Sequence, residues 1–299
     1  MEKIKLIADT ASDIPDEDLR ELGIDMPSVP VTVDGKGYWE RKSFSILEFY
    51  DVLKNARELP STSRVPVEDY LACYKRAWEQ GCTHIISVTI NSGGSGTHTS
   101  AQMAKKQLFH DHPEAVDQIE IHVVDSRTYS AAYGYYVAEA ARMARKGKTA
   151  AEILDYLRDT FEHLEVYLAC YSLEYARKSG RIGAAAAFVG DVLGLRPIIL
   201  MAGGQTKTVE KVRGNKTLPE KIYEAYEKNC TNKNAPVIMV RGSLDEPVDE
   251  LKRIFRQKTG KDLPAYYAGA SILINTGPEM LAIVCRGQRR VKDPECDMA

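Results

Sequence analysis

The strand, turn and helix pattern over residues 84–108 constrains the fold of this chain more than any other stretch. Residues 84–90 are apolar and rich in β-branched side chains, which is typical of a buried parallel strand. A glycine-rich turn follows, and Ala101, Ala104 and Leu108 then recur at helical spacing. A strand that passes into a helix through a short turn is the repeating unit of an open α/β sheet.

The turn itself has the composition of an anion-binding loop. Residues 91–97 read Asn-Ser-Gly-Gly-Ser-Gly-Thr and so combine three glycines with three hydroxyl groups. Glycine lets the backbone come close to a ligand, and the start of a helix offers unpaired N–H groups and the positive end of the helix dipole. The turn therefore predicts a phosphate or carboxylate site. The alternative is that its serines only cap the helix.

The turn matches none of the common enzymatic motifs. It lacks the lysine of a P-loop, the glycine spacing of a dinucleotide fingerprint and the second flanking glycine of a nucleophile elbow. His98 follows closely, but its place in the first helical turn predicts a surface residue rather than a base. An enzyme that uses Ser92 or Ser95 as nucleophile, or that binds a phosphorylated small molecule, stays open as a second hypothesis.

The composition excludes several classes of protein. The 299 residues include 40 basic and 42 acidic side chains, for a formal net charge of −2, so we do not expect nucleic-acid binding. No apolar run is long enough to cross a membrane and the N-terminus lacks a signal-peptide core, which predicts a cytoplasmic protein. The six cysteines form no C-x-x-C pair, so we predict reduced core thiols with neither metal nor redox use, and no cofactor.

The order of elements predicts an α/β protein of two domains. Alternating strands and helices over residues 1–164 indicate a doubly wound, mostly parallel sheet. After residue 165, two strands around Gly203 and Gly204 indicate antiparallel pairing, and hence a C-terminal α/β domain with a mixed sheet over residues 165–287. Residues 266–273 are predicted to be a strand, and residues 288–299 a polar tail.

Two further polar segments lie where a ligand would meet such a sheet. Residues 9–13 follow the first strand, at the edge where α/β sheets bind ligands, although they also suit a helix cap. Residues 60–66 form a hydroxyl-rich loop ahead of a helix that begins at Pro66. We expect this loop and residues 91–97 to converge on one anion.

In this order and spacing, the motifs resemble the DegV family, whose better understood members, the FakB proteins, bind fatty acids. The resemblance runs from Ile4 to about Gly287. It rests on residues 8–15, 60–63, 91–97, 125–127, 173–182 and 211–214.

The resemblance implies a two-domain carrier that holds a long-chain fatty acid between its domains and performs no chemistry alone. In the family, residues matching Thr62 and Ser95 bind the carboxylate. Ser92 and Gly94, in the same turn as Ser95, complete the candidate site together with Asn275, which stands where the family usually has a histidine before Thr-Gly-Pro. Asparagine still donates a hydrogen bond but does not become cationic near neutral pH.

The resemblance also implies a partner, an acyl kinase similar to FakA that phosphorylates the bound acid with ATP. An arginine matching Arg213 is implicated in that partnership. Arg181 belongs to the same basic cluster and is the second candidate, whereas the alternative is a solvated basic face. Asn275 and the additional carboxylate of Glu279 favour a third hypothesis, a regulatory or interaction module with a vestigial pocket.

Overall fold

A computed structural model describes residues 2–186 and 194–289. The chain divides into two compact units. Unit 1 comprises the residues up to Arg158 together with Tyr267–Ile274, and unit 2 comprises the rest of the described chain. The sequence predicts a linear division into residues 1–164 and 165–287. In the structure, the short segment Tyr267–Ile274 of the C-terminal half belongs to unit 1 instead.

Residues 2–163 contribute the parallel part of the fold. The strands are β1 (Ile4–Ala8), β2 (Pro30–Val33), β3 (Lys36–Trp39), β4 (Ser61–Thr62), β5 (His84–Thr89) and β6 (Glu120–Asp125). The helices are α1 (Asp16–Leu22), α2 (Ile46–Asn55), α3 (Val67–Glu79), α4 (Thr97–Asp111), α5 (Ala131–Arg145) and α6 (Ala150–His163). Strands β1, β5 and β6 form a parallel sheet in the order β1-β5-β6, as the alternating pattern predicts.

A small antiparallel sheet of order β3-β2-β4 accompanies it. Asp34 and Gly35 both have positive φ, at 47° and 79°, and join β2 to β3 in a tight hairpin. The sequence predicts one strand before this turn and none after it, so β3 is an addition. Thr62 also lies in a short strand, where it pairs with Val31 of β2.

The core of unit 1 confirms most of the predicted helix faces. Ala101, Ala104 and Leu108 of α4 are fully buried, as their spacing predicts. Helix α2 begins with the predicted capping box, but Leu47 is 58% exposed and Phe49 is fully buried in its place. The prediction that Leu47 points inward is therefore wrong, because the buried stripe of α2 starts at Phe49.

Residues 164–289 contribute the mixed sheet. The strands are β7 (Leu164–Cys170), β8 (Leu195–Ala202), β9 (Gln205–Arg213), β10 (Ile238–Arg241), β11 (Ala265–Tyr267) and β12 (Met280–Arg286). The helices are α7 (Glu174–Ser179), α8 (Gly183–Ala186), α9 (Leu218–Asn229), α10 (Asp245–Thr259) and α11 (Ala270–Thr276). The order is β11-β10-β12-β7-β8-β9, and Gly203 and Gly204 form the predicted hairpin turn between β8 and β9 with φ of 57° and 82°.

Two predictions fall partly on residues outside the described ones. The small-residue helix predicted over residues 184–194 includes residues 187–193, and the polar tail over 288–299 includes residues 290–299. Across the described ranges, no helix is both long enough and apolar enough to cross a membrane.

The strand predicted over residues 266–273 is wrong. Only Ala265–Tyr267 is a strand, and Ala270–Thr276 is helix α11. Buried carboxylates from distant parts of unit 1 bind the start of this helix, because Asp13 Oδ1 accepts from the N–H of Gly269 at 3.0 Å and Glu40 Oε1 from that of Ser271 at 2.8 Å. Acceptors at helix N-terminal N–H groups stabilise the helical conformation, which a local apolar run cannot reveal.

Candidate functional site

The carboxyl ends of the three parallel strands bring three polar segments to one edge of unit 1. Residues 9–13 follow β1, residues 91–97 follow β5, and residues 126–128 follow β6. Hydrogen bonds join them: Asp9 Oδ2 accepts from the N–H of Ile90 at 2.9 Å, and the Thr128 carbonyl accepts from the N–H of Asn91 at 3.0 Å. This is the edge at which open α/β sheets bind ligands.

Asn91 organises the glycine-rich turn, residues 91–97, which we call the Ser95 loop. Its carbonyl accepts from the N–H groups of Gly94 and Ser95 at 3.1 and 3.2 Å, and its side-chain oxygen accepts from Gly93 at 3.2 Å. Its side-chain amide donates to the hydroxyl of Tyr129 at 2.7 Å. A Cβ atom on Gly94 would lie 2.6 Å from that hydroxyl, so the closeness of Tyr129 requires glycine here.

The Ser95 loop and the loop of residues 60–66 meet at Thr97. The Thr97 hydroxyl oxygen accepts from the backbone N–H of Val65 at 3.2 Å and from the Ser95 hydroxyl at 3.0 Å. On the same side, a Cβ atom on Gly96 would lie 3.0 Å from the side chain of Arg64. Thr62 is exposed on β4, three residues before Val65. The two hydroxyl-rich loops are therefore neighbours.

Ser92 is engaged differently from Ser95. Its N–H and its hydroxyl both donate to the Asp125 carboxylate, at 3.1 and 2.5 Å. These bonds fix the start of the Ser95 loop to the end of β6. Because the Ser92 hydroxyl already donates its hydrogen to Asp125, that hydrogen is not available to a ligand. Within the described residues, neither serine is hydrogen-bonded to a histidine; His98 Nδ1 lies 3.0 Å from the hydroxyl of Thr89 instead.

The start of α4 keeps its positive electrostatic character. The helix is 15 residues long, its first turn holds no acidic residue, and its N-cap, Gly96, supplies no side-chain acceptor. The half-charge of the helix N-terminus is therefore not neutralised within that turn, and Arg64 adds a cation beside it. An anion at the Ser95 loop would be stabilised by both.

Three buried carboxylates lie beneath this edge, on Asp9, Asp13 and Glu40. Burial raises the pKa of Asp9 to about 6, although the N–H of Ile90 and the hydroxyl of Tyr133, at 2.8 Å, donate to it. Burial, followed by the negative charge of Glu40, also raises the pKa of Asp13. The described residues contain no group of His, Cys, Asp and Glu placed to hold a metal ion.

We expect Asp9 to make stability depend on pH between about 4 and 6. Because its folded pKa of about 6 exceeds the ordinary value of 3.8, the folded protein binds the proton more tightly. The free energy of unfolding therefore falls as pH rises through this window, by at most about 3 kcal/mol from this group. Urea unfolding of the wild type and Asp9→Asn at several pH values checks this. The variant should show a shallower decline, and an unchanged decline would contradict the assignment.

The remaining candidate residues belong to unit 2. Asn275 is half-buried near the end of α11, and the side chain of Glu279 is exposed. Arg213 ends β9 and Arg181 follows α7, and both are exposed. Sequence reasoning did not identify Tyr129, Tyr133 or Glu40, since each acts through contacts with residues far away in the chain.

Comparison with known proteins identifies the family of this chain. The family described as "Uncharacterised protein, DegV family" matches residues 3–287. A DegV domain-containing protein of Clostridium acetobutylicum is 30% identical over 292 residues, which cover 95% of this chain and 99% of that protein.

Solved structures share the fold over almost the whole chain. One of them is described as DegV, a fatty acid binding protein from Bacillus subtilis. It superimposes with a TM-score of 0.82 at 25% sequence identity, and the match covers 96% of this chain and 100% of that one. A stearic acid-binding protein from Eubacterium ventriosum gives a TM-score of 0.85 at 24% identity, covering 96% and 98%.

Proposed function

This chain belongs to the DegV family, and we propose that it binds a long-chain fatty acid. Two kinds of observation support the proposal. The Bacillus subtilis relative is described as a fatty acid binding protein. In this chain, the Ser95 loop combines hydroxyl groups with the start of a helix that has no acidic residue in its first turn.

The energetics of such a ligand require donors for its carboxylate. Burying a chain of about 14 methylenes is worth roughly 11 kcal/mol at most, at about 0.8 kcal/mol each. A carboxylate buried without partners would cost several kcal/mol. Hydroxyl groups and helix N-terminal N–H groups offset that cost without a buried counter-ion.

The contact between Thr97 and Val65 is the observation that carries the proposed site. It holds the Ser95 loop against the loop that bears Thr62, which supports a site to which the hydroxyl groups of both loops donate. The Ser95 hydroxyl now donates to Thr97, and rotation about one side-chain bond redirects its hydrogen to a ligand. Ser92 serves the site by holding the loop to Asp125.

Gly94 and Asn275 have different parts in this proposal. Gly94 leaves room for Tyr129, which hydrogen-bonds to Asn91 and so keeps the loop in shape. Asn275 is proposed as an amide donor to the ligand, in place of the histidine that the family usually has. A neutral amide makes the affinity at this position independent of pH between about 5 and 8.

We further propose that the protein is a carrier that presents its ligand to an acyl kinase. Ser92 and Ser95 donate to Asp125 and Thr97 and not to a histidine base, so the described hydrogen bonds favour binding over nucleophilic catalysis. Arg213 and Arg181 are exposed cations suited to an acidic partner surface or to the phosphate that the kinase transfers.

We expect Thr62→Ala and Ser95→Ala each to weaken fatty-acid binding by about 1–3 kcal/mol, or roughly 5- to 150-fold in Kd, because each removes one donor to the carboxylate. Titration with a fluorescent fatty acid, together with circular dichroism to verify folding, measures this. Ser63→Ala is the matched control: its hydroxyl is exposed in the same loop, and its affinity should equal that of the wild type. Wild-type affinity in both test variants would refute this site.

A further inference from the structure

A cavity of about 350 Å³ lies in unit 2, between helix α9 and the edge of the mixed sheet. Strands β7, β8 and β9, the C-terminal half of α9 and Gln288 line it, and all of these residues belong to unit 2. Its volume is at the small end of the range of about 300–1,000 Å³ that is typical of small-molecule sites. The Ser95 loop, on which we place the fatty-acid carboxylate, belongs to unit 1 and contributes nothing to this cavity.

The cavity lies at a β-bulge of the edge strand β9. Consecutive residues of β8 pair with Thr208 and Glu210, so Val209 between them has no cross-strand partner. A bulge bends its strand, redirects the neighbouring side chains and recurs beside functional sites. Here the residues on both sides of the bulge, 207–210, line the cavity.

The buried side of the cavity carries a carboxylate. Glu165 of β7 lines the cavity although the residue is only 1% exposed. The hydroxyl of Tyr167 donates to its Oε2 at 2.6 Å, and the backbone N–H of Gln288 donates to its Oε1 at 3.4 Å. These bonds hold the carboxylate in place. An ionised carboxylate can accept about four hydrogen bonds, and a cationic donor such as an ammonium group gives the stronger, charge-assisted kind.

The exposed side of the cavity is positive. Lys207 of β9 and Lys228 of α9 line it and are both exposed. Across the described ranges, neither ammonium group has an ion pair or a side-chain hydrogen bond. The other carboxylate of the lining, on Glu210, lies 3.4 Å from the ammonium group of Lys221 and is therefore already paired. Solvated lysines are common on protein surfaces, but these two share a cavity with a buried carboxylate.

We propose that this cavity binds a small zwitterion with an ammonium group at one end and a carboxylate at the other. The ammonium group donates to Glu165 on the buried side, and the carboxylate accepts from Lys207 and Lys228 on the exposed side. The side chains of Leu200 and Val209 contact the carbon chain between the two charges. A ligand with only one of the charges would pair with one side of the cavity. This inference does not depend on lipid binding, which we place in unit 1.

Isothermal titration calorimetry of the full-length chain with ε-aminocaproic acid tests the proposal. Caproic acid and hexylamine are the matched probes, since each has the same length of carbon chain and only one of the two charged groups. Caproic acid also reports binding at the lipid site, where a carboxylate suffices. We expect ε-aminocaproic acid to bind at one per chain and at least about 10-fold more tightly than either probe, because it alone pairs with both sides.

Substitutions separate the two sides of the cavity. Glu165→Gln keeps the shape of the side chain but removes its charge, and should weaken binding of ε-aminocaproic acid at least about 10-fold. Lys228→Ala acts on the exposed side, where water screens the charge, and should weaken it by about 3- to 5-fold. Lys252→Ala is the matched control, an exposed lysine of α10 outside the cavity, and should bind like the wild type.

The lysine variants decide the matter even if Glu165→Gln fails to fold, because their side chains are exposed. Absence of saturable binding of ε-aminocaproic acid to the wild type would overturn the proposal. Caproic acid that binds as tightly as ε-aminocaproic acid would also overturn it, as would equal affinities of Lys228→Ala and Lys252→Ala.

Discussion

Replacing Glu40 by alanine is expected to lower the free energy of unfolding by about 3 kcal/mol, because three buried hydrogen-bond donors lose the carboxylate that is their shared acceptor. Glu40 is 1% exposed. Its Oε1 accepts from the N–H of Ser271 at 2.8 Å, and its Oε2 accepts from the hydroxyls of Ser271 and Thr10 at 2.6 and 2.7 Å. Each buried donor without an acceptor costs about 1–3 kcal/mol, although the two hydroxyls can partly re-pair.

Glu40→Gln is the matched control for this variant. Its carbonyl oxygen still accepts from Ser271, and its NH₂ group faces hydroxyl oxygens that can accept in turn. We expect it to lose less than half as much stability as alanine in urea unfolding followed by circular dichroism. Equal losses, or an alanine variant as stable as the wild type, would show that Glu40 does not secure the start of α11.

The second large effect is expected from Gly134→Ala in α5, which should also cost about 3 kcal/mol or more. A Cβ atom here would lie 2.0 Å from the carbonyl oxygen of Ser12 and 3.0 Å from a side-chain carbon of Ile14. The Ser12 oxygen is a backbone atom in the tight turn after β1, so it cannot move aside by a side-chain rotation. Helix α5 would have to move off the sheet to make room.

The sign of the change in the free energy of unfolding makes the Gly134→Ala experiment decisive. In a helix with free space, alanine is more favourable than glycine by about 1 kcal/mol, so a stabilised variant would contradict the packing. Gly37→Ala in β3 is the control, since no heavy atom lies within 4 Å of its Cβ position and its φ is not positive. Thermal unfolding of both variants should show a large loss for Gly134 alone.

The sequence predicted best what local chemistry determines. Helix α9 runs over the predicted residues Leu218–Asn229, and the hairpin at Gly203 and Gly204 is present, because a periodic apolar stripe and two consecutive glycines are local signals. Helix α11 was predicted as a strand because Asp13 and Glu40, which bind its first N–H groups, lie more than 200 residues away.

The same limit applies to the candidate site. The residue types of the Ser95 loop and of residues 60–66 predicted that the two would converge, and the bond between Thr97 and Val65 shows that they are in contact. Composition does not show which hydroxyl is already hydrogen-bonded to a carboxylate of the protein. Ser92 and Ser95 look equivalent in sequence, but only Ser92 faces the carboxylate at the end of β6.

The most direct test of fatty-acid binding is native mass spectrometry of the purified protein, followed by the same measurement after denaturation. We predict a bound species that is released on denaturation and has the mass of a long-chain fatty acid, at one per chain. A protein that is empty as purified, and that also takes up no fatty acid when one is added, would contradict the proposed function.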